Sequence, residues 1–474
     1  MLTKTPSNAR AVAGYLALVL IPIGALMAIL RLGTGVTAPP AAGAAMNTAA
    51  KAAGGAPDLT LVVLQICIVL FAARVMGTLF RFIGQPRVIG EMAAGIVLGP
   101  SLLGWLAPGL SASVFPAASL GYLNALSQVG LVLFMFLIGL EVDPSELKGL
   151  GRAALIVSHA SITVPFVLGA TLALYLYPLL SNDRVTFLSF ALFLGAAMSI
   201  TAFPVLARIL TERKLLNTRL GTMAIACAAV NDVTGWCILA AIMVLIRTQS
   251  ATSTLWVTAG GSAAFALFVI YAVRPLLRGF ENSFRRNKAL DDGKIAILIL
   301  LVLSCALITE RLGIHLLFGA FLLGSVMPKD HEFVQHILEK FESVTVVVLL
   351  PLFFAFSGLR TNIGLVQGGM MWLYCGVIIL VAVAGKLGGA TIAARASGIN
   401  WREAGGIGIL MNTRGLMELV ILNIGLDIKV ISPSLFSMMV IMALVTTFMT
   451  TPLLELVCPV GRAANKLELT SRAS

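Results

Sequence analysis

The sequence predicts an all-α polytopic membrane protein with about 13–14 transmembrane helices. Three observations carry that reading. Hydrophobic residues make up 59% of the 474 and charged residues only 11%, where a soluble domain carries about 25% charged residues. Mainly apolar segments of 18 or more residues recur along the chain, each long enough to cross roughly 30 Å of hydrocarbon. The lysines and arginines, finally, fall with a strong bias to one side once those segments are counted.

Apolar runs read against charged breaks place helices near 11–32, 58–82, 87–105, 119–141 and 150–178. Five more follow near 186–210, 217–247, 254–278, 292–309 and 313–327, and the last four near 338–360, 369–396, 401–425 and 431–456. With a cytoplasmic N-terminus, the inside segments hold 23 of the 33 Lys and Arg and the outside segments 7, while Arg74, Lys386 and Arg414 lie within helices. That asymmetry fits the positive-inside rule with both termini in the cytoplasm, as expected of a multi-pass protein of the inner cell membrane. An odd helix count would break the alternation. The net charge of +12 is therefore a property of the loops and does not call for a nucleic-acid partner.

The first apolar stretch, "LALVLIPIGALMAIL" after Lys4 and Arg10, has the outline of a signal peptide, with "TAPPAAGAA" offering small residues for cleavage. It is long for a signal and reads as an uncleaved anchor. Residues 1–57 are then an extra helix with a flexible Ala/Gly-rich linker over 33–57, 58–456 the main transmembrane domain, and 457–474 a short cytoplasmic tail. Cys67, Cys227, Cys237, Cys305, Cys375 and Cys458 are scattered in apolar surroundings without a CxxC pair and read as packing residues.

Polar residues inside apolar helices are the informative minority, because an ionised Asp at a helix centre costs about 2.5–3.5 kcal/mol on insertion scales. "AAVNDVTGW" places Asn231 and Asp232 near the middle of the 217–247 segment. The preceding helix carries "AMSITAFPVLARIL", in which Pro204 cannot donate to the carbonyl of Ile200, so the helix should kink or unwind near Thr201. A freed carbonyl and a Thr hydroxyl at that depth are hard oxygen ligands for a small cation, and are tolerated only facing protein or a wet cavity. "VAGKLGGA" buries Lys386, and "LMNTRGLMELVIL" buries Asn412, Thr413, Arg414 and Glu418 around Gly415, which suggests a second interruption. One broken helix in each half, each beside a helix with a buried charge, is the pattern of an inverted-repeat secondary transporter with its site at the repeat interface. The repeats would span 58–247 and 292–456, joined by a linker helix over 254–278. Arg414 and Glu418, four apart on one helix, fit equally an ion pair that shapes the bundle or takes part in gating.

Two enzyme-like motifs fail on spacing. "DHEFVQH" sets His331 and His336 five apart where a zinc protease helix needs four, and the stretch reads as a cytoplasmic loop. "AGKLGG" is no phosphate loop, since Leu387 follows the Lys and position 380 is Leu. His159 and His315 read as packing residues. No cofactor is implied and the chain does not read as an enzyme.

"GQPRVIGEMAAGIVLGPSLLG", "LVLFMFLIGLEVD", "MSITAFPVLARIL", "AAVNDVTGW", "GIHLLFGAFLLGSVMPK", "LLPLFFAFSGLRTNI", "AGKLGG" and "LMNTRGLMELVILNIG" follow one another between residues 84 and 425. Together they closely resemble the monovalent cation:proton antiporter-2 superfamily, nearest to the plant-type cation/proton exchangers and their bacterial relatives. The resemblance implies two crossed discontinuous helices in a core domain, a separate domain forming a homodimer interface, and elevator-like alternating access. It implies that Asp232 binds a proton or an alkali cation in turn, that Thr201 stands at the unwound crossing, and that Lys386 faces the site. Asn231 departs from the Asp-Asp pair of electrogenic members, Arg414 stands where the plant proteins more often have Lys, and their large soluble tails are missing.

The charges then suggest a mechanism. Burial favours the neutral form of a carboxylic acid, so Asp232 would cross neutralised by a proton or paired with a cation held also by Thr201. With Asn231 in place of a second acid, one H⁺ would exchange for one K⁺ or Na⁺ without net charge movement. Two alternatives stand beside this: an electrogenic Na⁺/H⁺ antiporter in which Lys386 carries a second proton, and a gated potassium efflux channel-like system. A channel would want a continuous pore, against which the broken helices argue.

Overall fold

The computed structural model describes residues 8–39, 59–141, 151–248 apart from 184, 214, 216 and 217, and 252–457 apart from 314. Most of the expected linker over 33–57 and nearly all of the tail after residue 456 lie outside these residues. The described residues are helical, with no strand among them. Eleven helices are long and apolar enough to span a membrane, and three shorter apolar helices, Val19–Gly33, Phe187–Ser199 and Leu316–Val326, complete the set. Every expected segment has its helix, so the chain is a multi-pass membrane protein.

In chain order these are α1 (Asn8–Gly33), α2 (Leu59–Phe82), α3 (Arg87–Leu98), two short turns α4 (Leu103–Leu106) and α5 (Pro108–Val114), α6 (Ala117–Glu141) and α7 (Arg152–Leu180). The first interrupted helix is α8 (Phe187–Ser199) with α9 (Phe203–Glu212), followed by α10 (Arg219–Thr248) and α11 (Thr252–Phe268, continued to Asn287). Then come α12 (Asp292–Arg311), α13 (Leu316–Val326), α14 (His331–Val344, continued through Leu350–Leu359) and α15 (Gly368–Ala396). The second interrupted helix is α16 (Trp401–Met411) with α17 (Leu416–Asp427), and α18 (Pro433–Val457) closes the bundle. One reading is corrected here: His331 and His336 lie on the first turns of α14, not in a loop, because Asp330 caps the helix by accepting from the Phe333 amide at 3.2 Å.

Two bundles emerge from the packing. In one, α3 lies against α2 and α14, and α13 against α6 and α12. In the other, α7 packs on α8, α10 and α15, while α16 and α17 pack among α15, α18 and α8. The extra helix α1 rests on α7 and α8 of this second bundle. Association in a bilayer lacks a hydrophobic driving force, so close backbone approach at small residues must supply it. The α6–α13 contact does this at Gly139 and Gly324, where an added Cβ would stand 2.3 Å from the Phe321 carbonyl oxygen and 2.2 Å from that of Phe136. Lys329 ties the same helix ends, donating to the carbonyls of Gly139 at 3.0 Å, Leu140 at 2.8 Å and Gly324 at 3.2 Å. Gly324→Val should therefore force the two backbones apart and lower the unfolding temperature sharply in a thermal-shift assay. An unchanged midpoint would mean that this contact carries little of the fold.

Candidate functional site

The first interruption can be accounted for bond by bond. The last four carbonyls of a helix lack internal partners. At the end of α8 all four find one in side chains. Ser199 Oγ donates to the Ala196 carbonyl at 2.9 Å, Arg414 Nη1 to Ala197 at 3.0 Å, Arg414 Nη2 to Met198 at 2.7 Å, and Lys386 Nζ to Ser199. Ile200 and Ala202 are extended, and α9 resumes with Pro204 in its first turn, where a missing N–H costs nothing. The Phe203 amide, which would have served the Ser199 carbonyl in a continuous helix, instead lies near the Asp232 carboxylate. Two cationic side chains thus sit at a helix C-terminus and the acid at a helix N-terminus, each at the end whose dipole favours it.

The second interruption runs from Asn412 to Gly415 between α16 and α17. It meets the first directly, since the Ala202 amide donates to the Thr413 carbonyl at 3.1 Å and Thr201 Oγ1 to the Met411 carbonyl at 3.1 Å. Gly415 is required by this crossing, because a Cβ there would stand 2.8 Å from Val205 Cγ2. Thr447 on α18 braces Arg414 by accepting from its amide at 3.0 Å and donating to its carbonyl at 2.8 Å. Arg414 and Glu418, 0% and 1% exposed, form an ion pair at 3.1 Å within α16–α17.

Lys386 is fully buried on a π-helical turn, Ala384–Gly388, of the kind that often marks a functional position. Its Nζ has three acceptors: the carbonyls of Ser199 and, at 3.0 Å, Ser161, and Thr201 Oγ1 at 2.6 Å. The Ser161 carbonyl is free because its helical partner would be Pro165, which has no N–H. Asn231 Nδ2 donates to Ser161 Oγ at 2.7 Å and Thr201 Oγ1 at 3.1 Å.

The structure thus gathers Thr201, Asn231, Asp232, Lys386 and Arg414 around one crossing, with Pro204 in the turn beside it and Glu418 behind Arg414. It also gives Thr201 a fuller set of partners than the sequence suggested. Its hydroxyl donates once and receives Lys386 and Asn231, so in this arrangement the Lys386 amino group occupies the hard-oxygen environment expected for an alkali cation. Ser161 and Thr447 were not anticipated; the only trace of the former is a small polar residue four before a mid-helix proline. Asp232 is 2% exposed, and its Oδ1 and the neighbouring Asn231 Oδ1 accept no hydrogen bond from the protein. Two buried acceptors on neighbouring residues without donors demand an explanation. No group of three or more His, Cys, Asp or Glu suited to a metal ion occurs among the described residues.

A cavity of about 220 Å³ opens between the two bundles and reaches the crossing at Val205 and Leu416. Glu91, Glu141 and Glu342 line it. Carboxylates in a low-dielectric cleft concentrate cations, and none of these three was singled out from the sequence.

Comparison with known proteins accords with this geometry. The family model described as sodium/hydrogen exchanger, transmembrane, matches residues 66–456. The chain is 42% identical over 402 residues to the Na(+)/H(+) antiporter NhaS4 of Synechocystis, covering 85% of this chain and 98% of that one. It is 35% identical over 412 residues to the K(+)/H(+) antiporter 1 of Saccharomyces cerevisiae, covering 85% of this chain and 47% of that one. It likewise spans about half the length of the plant cation/H(+) antiporters it matches. Among solved structures, the sodium proton antiporter MjNhaP1 of Methanocaldococcus jannaschii matches in fold with a TM-score of 0.57 at 14% identity, covering 84% of this chain and 96% of that one.

Proposed function

The chain belongs to the sodium/hydrogen exchanger family of membrane cation/proton antiporters, and from that premise we propose that it exchanges K⁺ or Na⁺ for H⁺, one for one, at Asp232. The observation that carries this reading is a buried carboxylate with an unclaimed oxygen at the crossing of two broken helices, while Lys386 beside it is bonded and the other buried acid, Glu418, is paired with Arg414. A proton and a cation compete for that oxygen, and each neutralises it for passage. The Asn231 carbonyl oxygen supplies a second ligand. Lys386, with three acceptors about its Nζ, does not change protonation in this reading and adds no proton to the count.

In this reading residues 58–247 and 292–456 are inverted repeats joined through the helix beginning near 254, and the bundle of α7–α10 and α15–α18 moves against the other, which forms the homodimer. The acidic cavity faces the side where most loop lysines and arginines lie, which makes it cytoplasmic in the inner cell membrane. Both sodium and potassium stay within the assignment, as the names of the two relatives divide between them.

The testing experiment is cation-driven proton flux in proteoliposomes, with K⁺ and Na⁺ compared at several pH values. With Na⁺ or Li⁺ as substrate, a valinomycin-clamped potential should leave the final proton gradient unchanged, because one proton exchanged for one cation moves no net charge per cycle. One net charge moved would couple by about 2.3 kcal/mol per 100 mV, a factor of about fifty. A strong voltage dependence would instead assign a second proton to Lys386.

A further inference from the structure

The ends of α14 and α17 that point away from the acidic cavity are joined by a second polar constellation. The cavity lies where α3 begins and α6 ends, at Pro86, Glu91 and Glu141. At the other end of α14, where Ser101 beyond α3 donates to the Thr361 carbonyl at 2.8 Å, the two bundles meet through side chains. Asn423 of α17, 3% exposed, donates Nδ2 to Ser357 Oγ at 2.8 Å and accepts at Oδ1 from Arg360 Nη1 at 3.0 Å. Arg360 Nη2 reaches Asp427 Oδ1 at 2.6 Å, and its guanidinium lies over the Phe356 ring, 5.8 Å from the centroid.

Asn423 stands in an otherwise apolar stretch, Leu419–Asp427 reading "LVILNIGLD". A buried amide in such a helix is costly unless it is bonded; besides the Leu419 carbonyl of its own helix, which accepts from Nδ2 at 2.9 Å, its partners Ser357 and Arg360 lie on the opposing bundle. Arg360 likewise spans from the end of one bundle to two residues, one turn apart, on the other. Contacts of this kind can be traded for water when the surfaces part, whereas an apolar seal would expose its surface. The bundles are thus separated by a cavity at one end of the crossing and clasped by hydrogen bonds and an ion pair at the other.

We propose that Ser357 and Arg360 with Asn423 and Asp427 form a latch that closes the ion path on the side opposite the cavity and must part in each transport cycle. The proposal rests on the exchange reading above, since a latch has work to do only if Asp232 is reached from both sides in turn. Closure at this end holds the site open to the acidic cavity alone. Opening it would let α17, and with it the crossing, move relative to α14.

The test uses the full chain with its native cysteines replaced and Ser357→Cys and Asn423→Cys introduced together, in proteoliposomes. A short reducible thiol cross-linker should join the two positions within one chain and cut cation-driven proton flux at least tenfold, with recovery on reduction. Undiminished flux in fully cross-linked protein would overturn the latch, as would failure of the two positions to cross-link. If the reduced pair carries no flux, the wild-type chain is assayed alongside, and absence of flux there counts against the exchange reading itself. In either case a second readout decides the latch: Val420→Cys, buried one turn nearer the crossing, is labelled with a membrane-impermeant maleimide. Labelling should quicken at least threefold when Arg360→Ala and Asp427→Ala are added. Equal rates would overturn the proposal.

Discussion

Replacing Asp232 with Asn should reduce cation-driven proton flux by about a hundredfold. The amide has the same shape and keeps the Phe203 amide as a neighbour, but it takes no proton and cannot neutralise a cation. A cation entering the crossing would then travel as an uncompensated charge. At about 2.5–3.5 kcal/mol for a charge at the membrane centre, and 1.36 kcal/mol for each factor of ten in rate, the loss is about two orders of magnitude. Folding should be spared, because the substitution removes a buried charge and adds no volume. Flux in proteoliposomes and elution on size exclusion read the two effects separately. A folded variant that still exchanges within a few-fold of the wild-type rate would remove Asp232 from the mechanism.

Arg414→Ala should be the most damaging change to stability. The side chain is fully buried, holds the Ala197 and Met198 carbonyls across the crossing, and balances Glu418 at 3.1 Å. Removing one member of a buried pair costs about 3–5 kcal/mol, and leaving two carbonyls unmet adds about 1–3 kcal/mol each. The variant should therefore unfold at a markedly lower temperature in a thermal-shift assay, and Arg414→Ala with Glu418→Gln should recover part of the loss. Arg414→Lys should fall between, since one ammonium does not reproduce the planar fork that serves both carbonyls. If the double variant is no more stable than Arg414→Ala, the Glu418 charge is not what the arginine offsets.

The helical architecture was legible because membrane helices announce themselves locally: an apolar run, a charged break, a proline or glycine at mid-span. Pro204 and Gly415 marked the two interruptions, and Asn231, Asp232 and Lys386 stood out as polar residues that apolar helices do not keep without cause. What stayed hidden was pairing between residues far apart in the chain. Nothing near Arg414 says that its guanidinium serves carbonyls more than 200 positions earlier, at Ala197 and Met198. Ser161 looks like an ordinary helical serine until Pro165 is seen to free its carbonyl for Lys386. Thr201 was recognised by type, as an oxygen at a break, but the groups that bond its hydroxyl come from three other helices. Glu91, Glu141 and Glu342 lie near helix ends, where acids are common, and only the fold brings them to one cavity.

The central claim is that one carboxylate serves proton and cation in turn, and the most direct test is competition. Initial exchange rates would be measured with equal pH on both sides of the membrane, over a grid of pH and Na⁺ or K⁺ concentration. If Asp232 is shared, lowering the pH raises the half-saturating cation concentration, approaching tenfold per unit in the acidic range, while the maximal rate at saturating cation holds. A maximal rate that falls with pH at an unmoved half-saturating concentration would place proton and cation on separate groups and contradict the account.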